Sequence, residues 1–260
     1  MPSCAAASPH RTVLHLRAVL RRPLNLAQRW GLVPRNVASL VDAPRVPAYD
    51  VRAMAPSQAG AFLDTVRGDR LEALFTVALA VGLRQGEALG LQWGDVDLSA
   101  GTISVHRALQ RVDGKLRLVE PKTPSSRRTV PLPPTVLVAL RTHRTRQAEE
   151  RLWAGSRWHD TDLVFTTTIG TPLDGTNVTH HLHQLLGRAG MPQLRFHDLR
   201  HACASLLLAQ GVHPRVVMEI LGHSSIGLTM NTYSHVIPSL RHEAATRMES
   251  ALTELSQAGS

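Results

Sequence analysis

The chain has 260 residues, with 29 Lys and Arg against 20 Asp and Glu and a formal net charge of +9. Such a basic chain suits a polyanionic partner, although charge alone does not separate DNA from RNA or other acidic surfaces. Its two cysteines, Cys4 and Cys203, argue against a disulfide framework or a cysteine zinc site, and no apolar run approaches the roughly 18 residues of a membrane-spanning helix.

The opening MPSCAAASPHR is too short and too polar for a secretory leader, so the expected compartment is a reducing cytoplasm, away from any membrane. From Thr12, the segment TVLHLRAVLRRPLNLAQRWGLVPRNVASLV places Val13, Leu16, Leu20, Leu24, Ala27 and Trp30 at helical spacing, with breaks predicted at Pro23 and Gly31. The proline-rich stretch DAPRVPAYDVRAMAP at 42–56 reads as a linker, and the domain boundary is placed near Ala48. This divides the chain into a helical piece over 1–47 and a larger domain over 48–260. A piece of about 47 residues is below the size at which a lone domain easily buries a sufficient core.

Beyond Pro56 the pattern predicts helices at 57–67 and 70–82 and a short helix after Arg84. Strands are expected near 94–97, 102–110 and 116–120, with a returning piece at 128–131 and turns at Gly101 and Asp113-Gly114. A long helix follows from Pro134 to about Trp153, then a short strand at Leu163 to Phe165 and a helix from Asp174 to Arg188. Gly211 closes the next helix, Pro214 opens another, and Gly222 ends that one immediately before His223. In the last segment, PSLRHEAATRMESALTEL, Leu240, Ala244, Met248, Leu252 and Leu255 again recur at helical spacing. The predicted fold class is mainly α with one small antiparallel β-sheet.

The chemistry concentrates between His197 and Tyr233, HDLRHACASLLLAQGVHPRVVMEILGHSSIGLTMNTY. His197 and Arg200 lie three apart and share a helix face, while Leu199, Cys203, Leu206, Leu207 and Leu208 supply packing positions. Tyr233, one of two tyrosines, stands among Asn231, Thr232 and Ser234 and does not read as core filler. A planar guanidinium matches two phosphate oxygens at once, so arginine, histidine and a tyrosine nucleophile together point to phosphoryl transfer. Taken singly, each residue also has a plainer reading, as a satisfied helix histidine, a surface charge or an amphipathic surface ring.

In order and together, HDLRH, LGHSS and NTYSH resemble the carboxy-terminal signature of the tyrosine recombinases, the phage integrase family. Upstream, GLRQGEALGLQWGDVDLSAGTISV resembles that family's first motif, with Arg84 as its arginine and Glu87 as a supporting acid one turn later. EPKTPSSRRTVPLP resembles the family's lysine hairpin, with Lys122 in the turn and Arg127 and Arg128 on the returning strand. The resemblance implies a catalytic set of Arg84, Lys122, His197, Arg200, His223 and Tyr233. Tyr233 would attack a scissile DNA phosphate and form a 3′-phosphotyrosine link, Lys122 would protonate the leaving 5′ oxygen, and the two arginines would offset transition-state charge. His197 would assist proton removal or bind the phosphate, and His223 would donate to a non-bridging oxygen. Neither cofactor nor metal is implied.

The implied partner is double-stranded DNA, with a homotetramer on DNA that exchanges carboxy-terminal tails. Arg127 and Arg128, and behind them Arg141, Arg144 and Arg146, are candidate phosphate contacts. Residues 1–47 resemble only the last helices of the family's core-binding domain, so the chain reads as amino-terminally shortened. That leaves a second reading, a truncated DNA-binding regulator or inactive integrase fragment. A metal hydrolase is a third, raised by His197 and His201 at i, i+4 and by His180, His181 and His183. No glutamate follows the first histidine, and Arg200 would set a positive charge beside the metal.

Overall fold

The computed structural model describes residues 9–44, 54, 56–120, 127–222 and 248. The chain divides into two compact units, Met1–Asp50 and Val51–Ser260.

The first unit holds helix α1 (Pro9–Arg29) and a single turn, α2 (Val37–Leu40). The break expected at Pro23 does not occur, because the proline sits inside α1 and the helix runs on for a further turn and a half. Its ring removes one rung of the hydrogen-bond ladder, and Asn36 braces the helix on either side of that gap. The Asn36 amide donates to the Arg21 carbonyl at 2.9 Å and to Asn25 Oδ1 at 2.7 Å. Its own Oδ1 accepts from Ala38 N–H at 3.0 Å and caps α2. The break expected at Gly31 is present: α1 ends at Arg29, and Gly31 takes φ +72°. Val13, Leu16, Leu20 and Trp30 of the apolar stripe are exposed.

The second unit is organised around α4 (Glu72–Val81), which is apolar on every side and buried from Ala73 to Leu79 and again at Val81. A helix without a polar face belongs in an interior, and α3 (Pro56–Val66), α6 (Pro134–Ala154) and α8 (Phe196–Ala209) pack around it. Phe62, Phe75, Leu140, Phe165 and Leu199 fill the spaces between them. Helix α5 (Gln85–Leu89) follows α4, and α7 (Gly175–Arg188) and α9 (Pro214–Leu221) lie further along the chain. Helix α7 starts where expected, with Asp174 Oδ1 accepting from Thr176 N–H at 2.7 Å as its N-cap.

Among the described residues the expected single sheet is two. Strands β1 (Val96–Asp97), β2 (Thr102–Val105) and β5 (Arg128–Pro131) form one antiparallel sheet, with Val96 and Val130 both opposite Ile103 and Arg128 opposite Val105. Strands β3 (Ala108–Val112) and β4 (Lys115–Val119) form a separate hairpin, turned by Asp113 and Gly114 at φ +49° and +75°. Successive left-handed residues match the twist of a two-residue hairpin. The run 102–110 divides because β3 turns away to lie on α5, and Arg107 secures the corner through Gln92 Oε1 at 2.6 Å.

The strand expected at Leu163 to Phe165 is absent, for its polar backbone is satisfied differently. Leu163 forms one isolated bridge with Gln92. The Val164 carbonyl accepts from the His143 ring at 2.7 Å, and Gln147 donates to the Leu163 carbonyl at 3.0 Å. Side chains of α6 thus do the work of a neighbouring strand. Among the described residues no helix is long and apolar enough to cross a membrane.

Candidate active site

The site begins where α4 stops. Gly82 caps that helix in the left-handed region at φ +68°, and its N–H donates to the Ala78 carbonyl. A Cβ here would lie 2.5 Å from Leu221 Cδ2 and 3.2 Å from Cys203 Sγ, so only glycine lets the ends of α4 and α9 meet over α8.

Two residues later Arg84 is the N-cap of α5, and Glu87 reaches back to it. Glu87 Oε2 accepts from Arg84 N–H at 3.0 Å, and Oε1 accepts from Arg84 Nη1 at 2.7 Å. A guanidinium cannot accept the returning bond of a capping box, so an ion pair stands in its place. Arg84 is 40% exposed in its side chain and Glu87 only 6%. The arrangement recurs at α8, where Asp198 Oδ2 accepts from Arg195 N–H at 2.8 Å and Asp198 Oδ1 pairs with Arg195 Nη2 at 2.9 Å.

Helix α9 ends on Gly222, again left-handed at φ +65°. The last carbonyls of a helix lack internal partners and carry its partial negative charge. Here three successive carbonyls each take an arginine from a different element. Ile220 O accepts from Arg128 Nε at 2.6 Å, Leu221 O from Arg200 Nη2 at 2.6 Å, and Gly222 O from Arg84 Nη2 at 3.0 Å. Arg200 Nη1 also donates to Gly82 O at 2.7 Å, which closes the circle between α4, α8 and α9.

Arg84 and Arg200 are therefore brought together at Gly222 and Leu221, the two residues before His223. Arg200 is 1% exposed, so its charge lies behind the surface. His197 is one turn ahead of Arg200 at the start of α8, with its ring edge-on to His201 at 4.7 Å between centroids. Partial burial, and then the charge of Arg200, hold His197 below its ordinary pKa. His201 is pushed down to about 4, by burial first and by His197 second. Both rings are thereby biased toward the neutral form. Burial works to raise the pKa of Glu87, but Arg128 and Arg84 outweigh it and keep the carboxylate charged. Lys122, His223 and Tyr233 lie outside the described residues.

The outlying arginines are tethered. Arg127 pairs with Glu120 at 2.6 Å, with both side chains exposed. Arg141 donates to the Leu98 carbonyl, Arg144 lies 5.2 Å over the Trp93 ring, and Arg146 donates to the Asp69 carbonyl. Arg128 departs from the expectation of a phosphate contact: its side chain is 7% exposed, and Nη2 lies 2.9 Å from Glu87 Oε2. Strand alternation held the signal for this, because Arg128 shares a face of β5 with the buried Val130. His181 and His183 take separate partners, Asp69 and the Leu194 carbonyl.

Arginines from three separate elements thus meet at the carboxy-terminal end of one helix within a helical frame. The chain belongs to the phage integrase family, whose family model matches residues 52–239. It is 35% identical over 252 residues to a tyrosine recombinase XerC-like protein of Caldanaerobacter subterraneus subsp. tengcongensis, covering 90% of this chain and 64% of that protein. It is 31% identical over 252 residues to an integrase of Streptomyces ambofaciens, covering 92% and 63%. The chain thus spans under two thirds of either relative. Among solved structures, the Tn1549 transposon integrase in complex with transposon right end DNA shares the fold, with a TM-score of 0.74 at 24% identity, over 93% of this chain and 80% of that one.

Proposed function

We propose that the chain cuts and rejoins double-stranded DNA as a site-specific tyrosine recombinase. The observation that carries this reading is the placement of Arg84 and Arg200 on the consecutive carbonyls of Gly222 and Leu221, next to His223 in a family that includes named tyrosine recombinases. The Tyr233 oxygen attacks the scissile phosphorus and the bond to the 5′ oxygen breaks. The tyrosine proton passes toward His197, and Lys122 gives a proton to the leaving oxygen. Arg84, half-exposed, meets the phosphate from the surface, and Arg200 adds positive charge from behind. His223 donates to a non-bridging oxygen. A second 5′ hydroxyl reverses the step and rejoins the strand.

In this reading residues 48–260 are the catalytic domain and 1–47 the last helices of a core-binding domain. Assembly on DNA is a homotetramer with exchanged carboxy-terminal tails, and the compartment is the cytoplasm. The DNA held by the Tn1549 integrase supports the choice of partner. The carbonyl-capped arginines also favour a second reading, a regulator that binds DNA without cutting it.

The test is a denaturing gel of the purified chain mixed with nicked duplexes drawn from the flanks of its gene. A covalent adduct that vanishes in Tyr233→Phe is the expected result. Binding without an adduct selects the regulator, and neither binding nor adduct overturns both.

A further inference from the structure

We propose that Arg128 is a positioning residue for Arg84, acting through Glu87 and the end of α9 rather than by touching DNA. The proposal rests on the strand-transfer reading for its consequence and on the geometry alone for its premise.

Among the described residues Arg84 has two anchors. One is Glu87, which takes its Nη1 at 2.7 Å and its backbone N–H at 3.0 Å. The other is the Gly222 carbonyl, which takes its Nη2 at 3.0 Å. Arg128 touches both. Its Nη2 lies 2.9 Å from Glu87 Oε2, the oxygen that also holds the Arg84 N–H. Its guanidinium packs over Gly222 so closely that a Cβ there would lie 2.9 Å from Nη1 and 3.2 Å from Cζ. Its Nε then donates to the Ile220 carbonyl at 2.6 Å, which fixes the plane of the fork.

Removing Arg128 would take one of the two described donors from Glu87 Oε2 and leave the Ile220 carbonyl without its guanidinium. The carboxylate would gain a rotor, and so would the arginine leaning on it. A buried ion pair is weak evidence for stability, since packed apolar residues often do as well. A pair that joins a strand, a helix start and a helix end, and that touches both supports of a phosphate-facing arginine, is better explained by geometry. The planar fork is what meets those partners together; an ammonium on a single stem reaches one.

The experiment compares Arg128→Lys and Arg128→Met, alone and with Glu87→Gln, on nicked DNA in single turnover at saturating protein. Arg128→Lys is expected to slow adduct formation by about 10- to 100-fold, the usual scale for a misplaced catalytic group, with the salt slope of DNA binding unchanged. In the Glu87→Gln background the same change should add little, because the two residues act through one contact. A slope reduced by about 1 with the cleavage rate intact is the mark of a direct phosphate contact and overturns the proposal. So does full additivity with Glu87→Gln.

A second readout is independent of turnover and of the strand-transfer reading. Relaxation of the Arg84 side-chain Nε–H should report a restrained guanidinium in the parent chain and a released one in Arg128→Lys. An unchanged Arg84 signal overturns the proposal even where adducts form. If the parent chain forms no adduct, the strand-transfer reading falls and the Arg84 signal alone decides this one.

Discussion

Arg200 Nη2 donates to the Leu221 carbonyl at 2.6 Å, so a side chain of α8 holds the last residue of α9. Its other arm holds Gly82 at the end of α4. One buried guanidinium thereby replaces the missing helix partners of two termini, a task an apolar residue of equal size cannot do.

Arg200→Met should consequently destabilise the chain. It leaves the Gly82 and Leu221 carbonyls without this donor, at about 1–3 kcal/mol for each unsatisfied buried group. A loss of about 3 kcal/mol in urea denaturation is the expected outcome, and a variant within about 1 kcal/mol of the parent would show that water or neighbouring groups satisfy both.

Gly222→Ala and Gly82→Ala should each cost more than the roughly 1 kcal/mol of a left-handed non-glycine residue. At Gly82 the new methyl meets Leu221 Cδ2 at 2.5 Å, and at Gly222 it meets Arg128 Nη1 at 2.9 Å. Thermal melts of the two variants check this, and Gly222→Ala should regain part of its loss when Arg128 is shortened to Ala.

Stability should fall as pH drops from 6.5 toward about 4, the window set by His201. The unfolded chain protonates this ring near its ordinary pKa, whereas the folded chain resists until the lower value, so the unfolded state binds more protons across the window. His197, also held low, adds to the same slope. Below 4.5 the lowered pKa of Glu87 brings a further loss, because the unfolded chain takes up a proton that the carboxylate paired with Arg128 and Arg84 resists. Urea midpoints measured through the window should decline in the parent chain and decline less in His201→Gln.

Asn36→Ala should loosen the first unit without touching the second. It removes the donors to Arg21 and Asn25 and the cap on α2, a change of about 1–2 kcal/mol by analogy with other caps. Amide exchange should accelerate around Pro23 and α2 and stay unchanged in α4. Uniform acceleration through both units would contradict the brace.

Arg127→Ala is the counterpart of the Arg128 series. Its exposed pair with Glu120 contributes little to stability, so the melt should not move. On the DNA-binding reading the salt slope should fall by about 1, uniformly across sequences, and an unchanged slope would remove Arg127 from the interface.

Much of the helical frame was legible in the sequence, because α4 is a continuous apolar run, α7 carries an apolar period, and the ends of α4, α6 and α7 carry Gly82, Pro134 and Asp174. The pairing of Arg84 with Glu87 was legible for the same local reason, a separation of one helical turn. What was not legible depends on contacts distant in sequence. Pro23 continues a helix because Asn36 returns to brace it. Leu163 to Phe165 forms no strand because His143 and Gln147 arrive from α6. Arg128 turns inward because Glu87 and Ile220 await it, and a motif that holds two adjacent arginines does not say which faces out unless the strand's alternation is followed through Val130.

Cys203 lies 2% exposed beside Gly82, and burial pushes its thiol up to about 12. At neutral pH it holds almost no thiolate, so a thiol reagent must wait for the sulfur to be uncovered. In a Cys4→Ser background the labelling rate becomes a native clock on the separation of α8 from the end of α4. The same opening exposes Arg200, and DNA that stabilises the closed or the open form would slow or speed that clock accordingly.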